Sequence, residues 1–413
     1  MNNFRGVSHR ARQHSASSTY ACGRRSVERL INSARPYTLV ALALLSCSSL
    51  AAQRSKDQGE FSRYAGDAPR HALPYATYLS PEIKRKDISA ALTKVADWQL
   101  RRSAGHFDND WTFAVLYTGF MAIPQPVAGD KYQIAMKSMG DSLHWQMGPD
   151  TLDANDLAVG ATYLDLYQLY KEPAILHTVQ ERIETVMQQS RTQPRPLWWW
   201  CDALFVGPAT FTKLAQITGN RRYLDFMDRQ WWTTSSQLYD TNRKLYYRDQ
   251  RFLTRHETNG APVFWARGSG WVLAGLARVL QTMPNDYPSR PKYIAQFQEM
   301  AASLTALQRP NGLWTAGLLD PDSYPADETS GTSLITYGLA YGVNSGILNK
   351  AQYEPHIALA WRGLVAHVFT DGRLGSVQKV ADSPGHLKPT SSYVYGVGGF
   401  LLAGSEVYRM ATD

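Results

Sequence analysis

The feature that most restricts the fold of this chain is an alternation of two kinds of helical segment after residue 81. The first kind is amphipathic. In residues 173–189, aliphatic side chains recur at helical spacing from Ile175 to Val186, which gives the helix one apolar face and one wet face. The second kind, as in residues 271–277, is apolar nearly all round and rich in small residues. Such helices are buried on both sides.

Each kind of segment occurs six times, in pairs. The apolar segments start near residues 111, 153, 202, 264, 328 and 391, and the amphipathic segment before each of them starts near residues 82, 130, 173, 221, 290 and 351. Six helical hairpins with buried partners predict an all-α fold, a closed (α/α)6 barrel. A solenoid of helix pairs is the structural alternative, although its repeats are shorter and more uniform than these.

Short turns precede several of the later apolar segments. Three of them, DTNRKLY at residues 240–246, NGLW at 311–314 and DGRL at 371–374, each begin with Asp or Asn and contain a Leu at or next to the end. We expect each turn to lead into a short strand, so that small β-hairpin loops lie on one rim of the barrel.

The chain divides into a leader at residues 1–53, a linker at 54–81 and the barrel at 82–413. The leader has seven arginines against one acid, then an apolar run over residues 38–45 that is too short to span a bilayer. This order predicts an export signal and a periplasmic protein, with Cys47 as a possible site of a lipid anchor. A disordered tail on a cytoplasmic protein is the alternative.

The net charge of +8 comes almost entirely from that leader, since 36 basic and 34 acidic residues remain outside it. A nearly neutral body argues against binding to nucleic acid, which needs clustered positive charge. Without the leader, Cys201 is the sole cysteine, so no intrachain disulfide is expected. The sequence has no His-x-x-x-His, paired cysteines or Gly-rich phosphate loop, so we expect no metal and no cofactor. No obligate protein partner is evident from the sequence.

Polar and aromatic residues gather at the starts of the apolar helices. If these helices run parallel around a ring, their N-terminal ends meet at one rim and form a concave, acidic and aromatic mouth, which suits a sugar. Aspartate and serine before a helix are also ordinary N-caps, and this interpretation stays open for Asp153, Ser330, Ser391, Asp156 and Asp202. Of three consecutive tryptophans, we assign Trp198 and Trp199 to the core and leave Trp200 open.

Three ordered motifs, WWWCDALF at 198–205, NDLAVGATY at 155–163 and WARGSGW at 265–271, resemble the unsaturated rhamnogalacturonyl hydrolases. These form glycoside hydrolase family 105 and are relatives of the unsaturated glucuronyl hydrolases. The resemblance extends from about residue 82 to the end of the chain. It implies an (α/α)6 barrel that releases a 4,5-unsaturated uronic acid, galacturonyl or glucuronyl, from the non-reducing end of lyase-generated rhamnogalacturonan- or ulvan-type oligosaccharides.

The resemblance also implies residue roles. Asp202 is the general acid that protonates C4 and then the base that helps water add at C5, and Asp156 is the second acid, which raises the pKa of Asp202. Arg267 faces the substrate carboxylate and Trp271 contacts the ring. We expect three further residues, Trp200, Trp265 and His256, to bind substrate.

Three other functions remain open from the sequence. A polysaccharide lyase on this fold needs a Tyr, His or Lys base, and a sugar epimerase needs paired histidines. The candidates Tyr163, His106 and His256 do not form either set convincingly. A non-catalytic exported carbohydrate-binding protein would need the aromatic mouth but no poised acid.

Overall fold

The alternation of helix types is present in the computed structural model, which describes residues 65–193 and 196–412. In chain order, the outer and inner helices of the six pairs are α1 (Arg85–Ser103) and α2 (Trp111–Ala122); α4 (Lys131–Ser142) and α5 (Ala158–Tyr170), with the short α3 (Gln125–Ala128) before them; α6 (Pro173–Gln189) and the broken α7 (Ala203–Val206) and α8 (Pro208–Thr218); α9 (Arg221–Leu238) and α10 (Ala266–Thr282); α11 (Arg290–Ala306) and α12 (Thr329–Asn344); α13 (Lys350–Ala366) and α14 (Val394–Met410).

The two kinds of helix differ in burial as their sequences predict. In the outer helix α6, the four buried residues are those of the aliphatic stripe that runs from Ile175 to Val186. In the inner helix α10, every residue from Ala266 to Leu280 is buried. An outer helix therefore packs with one face, whereas an inner helix is enclosed on all sides.

The inner helices form a closed ring. Successive inner helices contact one another from α2 through α5, α8, α10 and α12 to α14, and α14 then contacts α2. Glycine permits this last contact, since a Cβ atom on Gly398 would lie 2.4 Å from the carbonyl oxygen of Val115. Contact between the first and last pairs confirms the (α/α)6 barrel and excludes an open solenoid.

Three two-stranded antiparallel sheets lie beside the inner helices. Within the described residues, β1 (Gly66–Asp67) pairs with β6 (Ser392–Tyr393), β2 (Tyr239–Asp240) with β3 (Leu245–Tyr246), and β4 (Trp314–Thr315) with β5 (Asp327–Glu328). Of the three similar turns, the first closes the β2–β3 hairpin. The second leads into β4, whose partner lies further along the chain, and the third closes a single bridge between Val368 and Leu374.

All described residues belong to one compact unit, Phe61–Asp413. The described part of the predicted linker, residues 65–81, packs on the barrel. The amide of Ala76 donates to the carbonyl oxygen of Val368 over 2.7 Å, and Tyr75 stacks on Phe369. The predicted leader with Cys47 lies outside the described residues. Within those residues, no helix is long and apolar enough to cross a membrane.

Candidate active site

The N-terminal ends of the inner helices meet at one rim. Trp111, the first residue of α2, stacks on Tyr395 in the first turn of α14 at a centroid distance of 5.5 Å. Its ring also meets the edge of Trp271 in α10 at 6.2 Å. Arg267, in the first turn of α10, donates from Nη1 to Oγ of Ser330 near the start of α12 over 3.2 Å. The convergence predicted from the sequence is therefore present.

Asp202 lies in this rim directly before α7. Its side chain is 17% exposed, and its Oδ2 atom lies 3.3 Å from Nε of Arg248. The thiol of Cys201 donates to the same oxygen over 3.6 Å. Although Asp202 occupies the N-cap position of α7, its side chain makes no capping hydrogen bond. The capping interpretation is therefore wrong for Asp202, and its carboxyl group is available for chemistry.

The environment of Asp202 favours the protonated acid. Burial raises the pKa of its carboxyl group, while the positive charges of Arg248 and Arg267 act in the opposite direction. The sequence predicts that Asp156 raises this pKa, but burial is the largest cause and Asp156 is not among the groups that act most strongly on Asp202. A buried carboxyl group that holds its proton can act as a general acid.

Asp156 lies in a 3-10 turn, Asn155–Leu157, before α5. Its Oδ2 atom accepts a hydrogen bond from the amide of Asp150 over 2.6 Å. Burial raises the pKa of Asp156, the carboxylates of Asp153 and Asp150 add to the increase, and the amide of Asp150 opposes it. Asp156 is half-buried and faces the other acids of this turn.

Arg267 is 1% exposed, and neutral groups hold its guanidinium. Nη1 donates to the carbonyl oxygen of Gln378 over 3.1 Å and Nη2 donates to that of Lys379 over 2.9 Å. The guanidinium carbon lies 4.1 Å from the ring centroid of Trp265 and 5.1 Å from that of Tyr395. The charge is thus fixed between two aromatic rings beside the rim.

Glu328 is a buried acid whose part the sequence did not reveal. Its Oε1 atom accepts from the amide of Ser330, from the hydroxyl of Ser330 and from the amide of Gln378, over 3.0, 2.6 and 3.0 Å. Its Oε2 atom accepts from the amide of Gly331 over 2.6 Å. Glu328 is therefore the N-cap of α12, and Ser330 links its carboxylate to Arg267.

The predictions of helix N-caps at other residues have different outcomes. Asp153 accepts a hydrogen bond from the amide of Asn155 over 2.9 Å, as a cap would. Ser330 is not a cap, since Glu328 holds that position, and Ser391 instead donates to the carbonyl oxygens of Val377 and Lys388, each over 2.7 Å.

The predicted aromatic residues line the rim with little exposed surface. Trp265 donates from Nε1 to Oε1 of Gln378 over 2.8 Å, and Trp271 packs against Phe205 at 4.7 Å. Trp200 is also buried. Trp199 is 36% exposed, so its assignment to the core is wrong. Its ring lies beside that of Trp200 at 4.8 Å and presents a surface to solvent.

His256 stands apart from the two acids. It is exposed, its Nδ1 atom lies 3.1 Å from the carbonyl oxygen of Thr254, and its backbone pairs with Pro262. Among the described residues, no contact joins its side chain to Asp202 or Asp156. The structure therefore does not bring this predicted substrate-binding residue together with the others.

A cavity of about 230 Å³ has a lining that includes Trp199, Trp200, Asp150 and Asp153. It adjoins Asp156 through Asp150. A larger cavity of about 800 Å³, lined in part by residues 280–287, lies at the opposite end of α10. The smaller cavity combines aromatic rings with carboxylates, which suits a sugar.

Comparison with known proteins gives consistent results. The family model described as Glycosyl Hydrolase Family 88 matches residues 91–411. The chain is 33% identical over 358 residues to the Unsaturated 3S-rhamnoglycuronyl hydrolase of Formosa agariphila, and the match covers 82% of this chain and 95% of that protein.

Two solved structures share the fold. The glycosyl hydrolase family 88 protein from Bacteroides vulgatus has 30% identity and a TM-score of 0.73, with 79% of this chain and 99% of that chain covered. A protein named as a polysaccharide lyase has 32% identity and a TM-score of 0.72, with 79% and 98% covered.

Proposed function

Because the chain belongs to Glycosyl Hydrolase Family 88, we propose that it releases a 4,5-unsaturated uronic acid from the non-reducing end of oligosaccharides. The match confirms the resemblance drawn from the three motifs, and the protein is a glycosidase. The name of the Formosa agariphila relative supports a rhamnoglycuronyl substrate. Of the two substrate classes that the motifs imply, we propose the ulvan-type.

The observation that carries this proposal is the carboxyl group of Asp202. Its side chain is 17% exposed at the rim and makes no capping bond, and partial burial is the largest cause of its raised pKa. A raised pKa favours the protonated form, which is the form that can protonate a carbon atom of an electron-rich double bond. The unsaturated uronic acid contains such a bond, since C4=C5 is conjugated with the ring oxygen as an enol ether.

In the proposed reaction, Asp202 transfers its proton to C4 and positive charge develops at C5 and the ring oxygen. Water then adds to C5 and loses a proton to the Asp202 carboxylate, which restores the acid. The resulting hemiketal opens, the ring oxygen stays on C1, and C1 releases the neighbouring sugar as an alcohol. One water molecule is consumed and no bond forms between water and C1, so the rule that relates carboxylate separation to stereochemistry does not apply.

Arg267 and Asp156 have supporting roles in this proposal. The hydrogen bonds of Arg267 go to neutral groups, so its positive charge can attract the substrate carboxylate. Asp156 can accept a hydroxyl hydrogen bond from the sugar or orient the attacking water. The exposed face of Trp199 provides a stacking surface beside them.

The direction of an absorbance change tests the proposal against the lyase alternative, which the name of one related structure raises. A hydrolase of this type destroys the conjugated double bond, so ultraviolet absorbance falls with lyase-digested ulvan. A lyase creates that bond, so absorbance rises with undigested polysaccharide. We expect a fall with digested ulvan, a smaller fall with digested rhamnogalacturonan and no change with undigested polymer. A rise, or no change with either digest, would refute the proposed reaction.

We also propose that the protein is exported to the periplasm. The support is the order of the leader, with arginines, an apolar run over residues 38–45 and then small residues. Cell fractionation of wild type and Cys47→Ser tests this proposal. Recovery of the wild type in the cytoplasm would contradict export, and membrane release caused by the substitution would indicate a lipid anchor.

A further inference from the structure

Arg248 lies between Asp202 and an exposed aromatic ring. Its Nε atom is 3.3 Å from Oδ2 of Asp202, and its Nη1 donates to Oδ2 of Asp249 over 2.8 Å. Its guanidinium carbon lies 5.6 Å from the ring centroid of Trp199. One side chain thus contacts the proposed general acid and the stacking surface proposed for sugar.

The backbone fixes Arg248 in this place. The amide of Cys201 donates to the carbonyl oxygen of Arg248 over 2.8 Å, and Trp200 pairs with Asp249 in an antiparallel bridge. The segment that carries Asp202 is therefore joined directly to the segment that carries Arg248. These two segments are distant in the sequence, and their pairing sets the distance between the two charges.

A second arginine, Arg251, also binds Asp249. Arg251 donates from Nε to Oδ1 of Asp249 over 2.9 Å and from Nη2 to Oδ2 over 2.8 Å. It also donates to Asp382 over 3.0 Å. Asp249 is 1% exposed and accepts hydrogen bonds from both arginines, so it fixes the position of the Arg248 guanidinium.

The contact between Arg248 and Asp202 is electrostatic. Nε of Arg248 is buried and makes no aligned hydrogen bond, although Asp202 is close enough for a strong charge interaction. The other charged or titratable groups that act on Asp202 are Arg267 and the thiol of Cys201, and Asp249 faces Arg248. Burial therefore raises the pKa of Asp202, and the positive charge of Arg248 lowers it.

The proposed reaction needs Asp202 in both of its protonation states, because Asp202 first gives up a proton to C4 and then takes one from water. Burial alone would favour the neutral acid and make it reluctant to donate. We propose that Arg248 is a positioning residue, which fixes the Asp202 carboxyl group and stabilises its ionised form after the proton has been delivered. This inference rests on the proposed function and adds a residue to it.

The test measures the ionisation of Asp202 directly and then the activity. Carbon-13 labelled aspartate is titrated by NMR, and the resonance that Asp202→Asn removes is assigned to this residue. Arg248→Gln should move its midpoint up by about one pH unit or more, since the nearby positive charge is gone. Arg248→Lys keeps the charge and should move it by less than half as much. The matched control, Arg251→Gln, removes an arginine from the same Asp249 without touching Asp202, so it should leave the midpoint unchanged.

The pH profile of kcat/KM gives a second readout. Because a general acid works only when protonated, activity falls as the pH rises through its pKa, and Arg248→Gln should move this fall to higher pH. An unmoved midpoint in a folded Arg248→Gln variant would overturn the inference, and so would a shift in Arg248→Lys as large as that in Arg248→Gln. Absence of activity in the wild type would instead refute the proposed function, and the NMR titration would still decide the part played by Arg248.

Discussion

Replacement of Glu328 by glutamine should destabilise the protein far more than its small change in structure suggests. Both oxygens of this buried carboxylate accept hydrogen bonds, three at Oε1 and one at Oε2, and all four partners are donors. Glutamine has nearly the same shape but carries an NH₂ group in place of one oxygen. The NH₂ group of the glutamine side chain must therefore face at least one hydrogen-bond donor instead of an acceptor.

The structure indicates which orientation costs less. With NH₂ at the Oε2 position, only the amide of Gly331 loses its acceptor, whereas the other orientation leaves three donors without one. A buried unsatisfied donor costs about 1–3 kcal/mol, and the lost bond had a charged acceptor. We therefore expect Glu328→Gln to lower the free energy of unfolding by about 2–4 kcal/mol.

Urea unfolding followed by circular dichroism measures this difference. The matched control is Glu354→Gln on the outer helix α13, an exposed side chain 3.8 Å from Lys350, which should change the free energy by less than about 0.5 kcal/mol. A loss below about 1 kcal/mol for Glu328→Gln would refute the reasoning. It would mean that the four hydrogen bonds are not the reason for this acid at the start of α12.

Two further predictions concern the rim. Gly148→Ala would place a Cβ atom 2.3 Å from Cγ of Asp156, so kcat/KM should fall on the order of tenfold to a hundredfold while the melting temperature changes little; full activity would remove Asp156 from the proposed site. Burial would raise the pKa of Asp249, but hydrogen bonds from Arg251 and Arg248 lower it to about 2. Its carboxylate thus stabilises the fold above its unfolded pKa, and this stabilisation is lost as the pH falls toward 2. The difference in melting temperature between wild type and Asp249→Asn should shrink on acidification, and a constant difference would contradict the assignment.

The sequence predicted the barrel because burial on one face and burial on all faces leave different patterns. The stripe from Ile175 to Val186 and the apolar run of residues 271–277 each appear in the structure with the predicted exposure. Closure of the ring depends on a backbone contact at Gly398, which no periodicity reveals, yet six pairs already favoured it. The hydrophobic pattern was sufficient to predict the barrel because the same packing of an outer and an inner helix repeats in each pair.

The site was predictable only in part. Asp202 and Asp156 were found from motifs, but Arg248 reaches Asp202 through pairing of two distant segments, for which the local sequence has no signal. Trp199 and Trp200 are adjacent residues of the same type, so the sequence could not show which of them faces solvent. Glu328 did leave a signal, an acid directly before small polar residues at a helix start, which is typical of an N-cap region.

The most direct test of the central claim is the rate at which wild type and Asp202→Asn remove the ultraviolet absorbance of lyase-digested ulvan. Asp141→Asn on the outer helix α4 is the control, since Asp141 is exposed and pairs with Lys137 there. Loss of general acid catalysis should slow Asp202→Asn by about 10²- to 10⁴-fold. Both variants should keep the wild-type circular dichroism spectrum, and Asp141→Asn should keep the wild-type rate. A folded Asp202→Asn protein that still removes the absorbance at more than about a tenth of the wild-type rate would contradict the assignment of Asp202 as the acid.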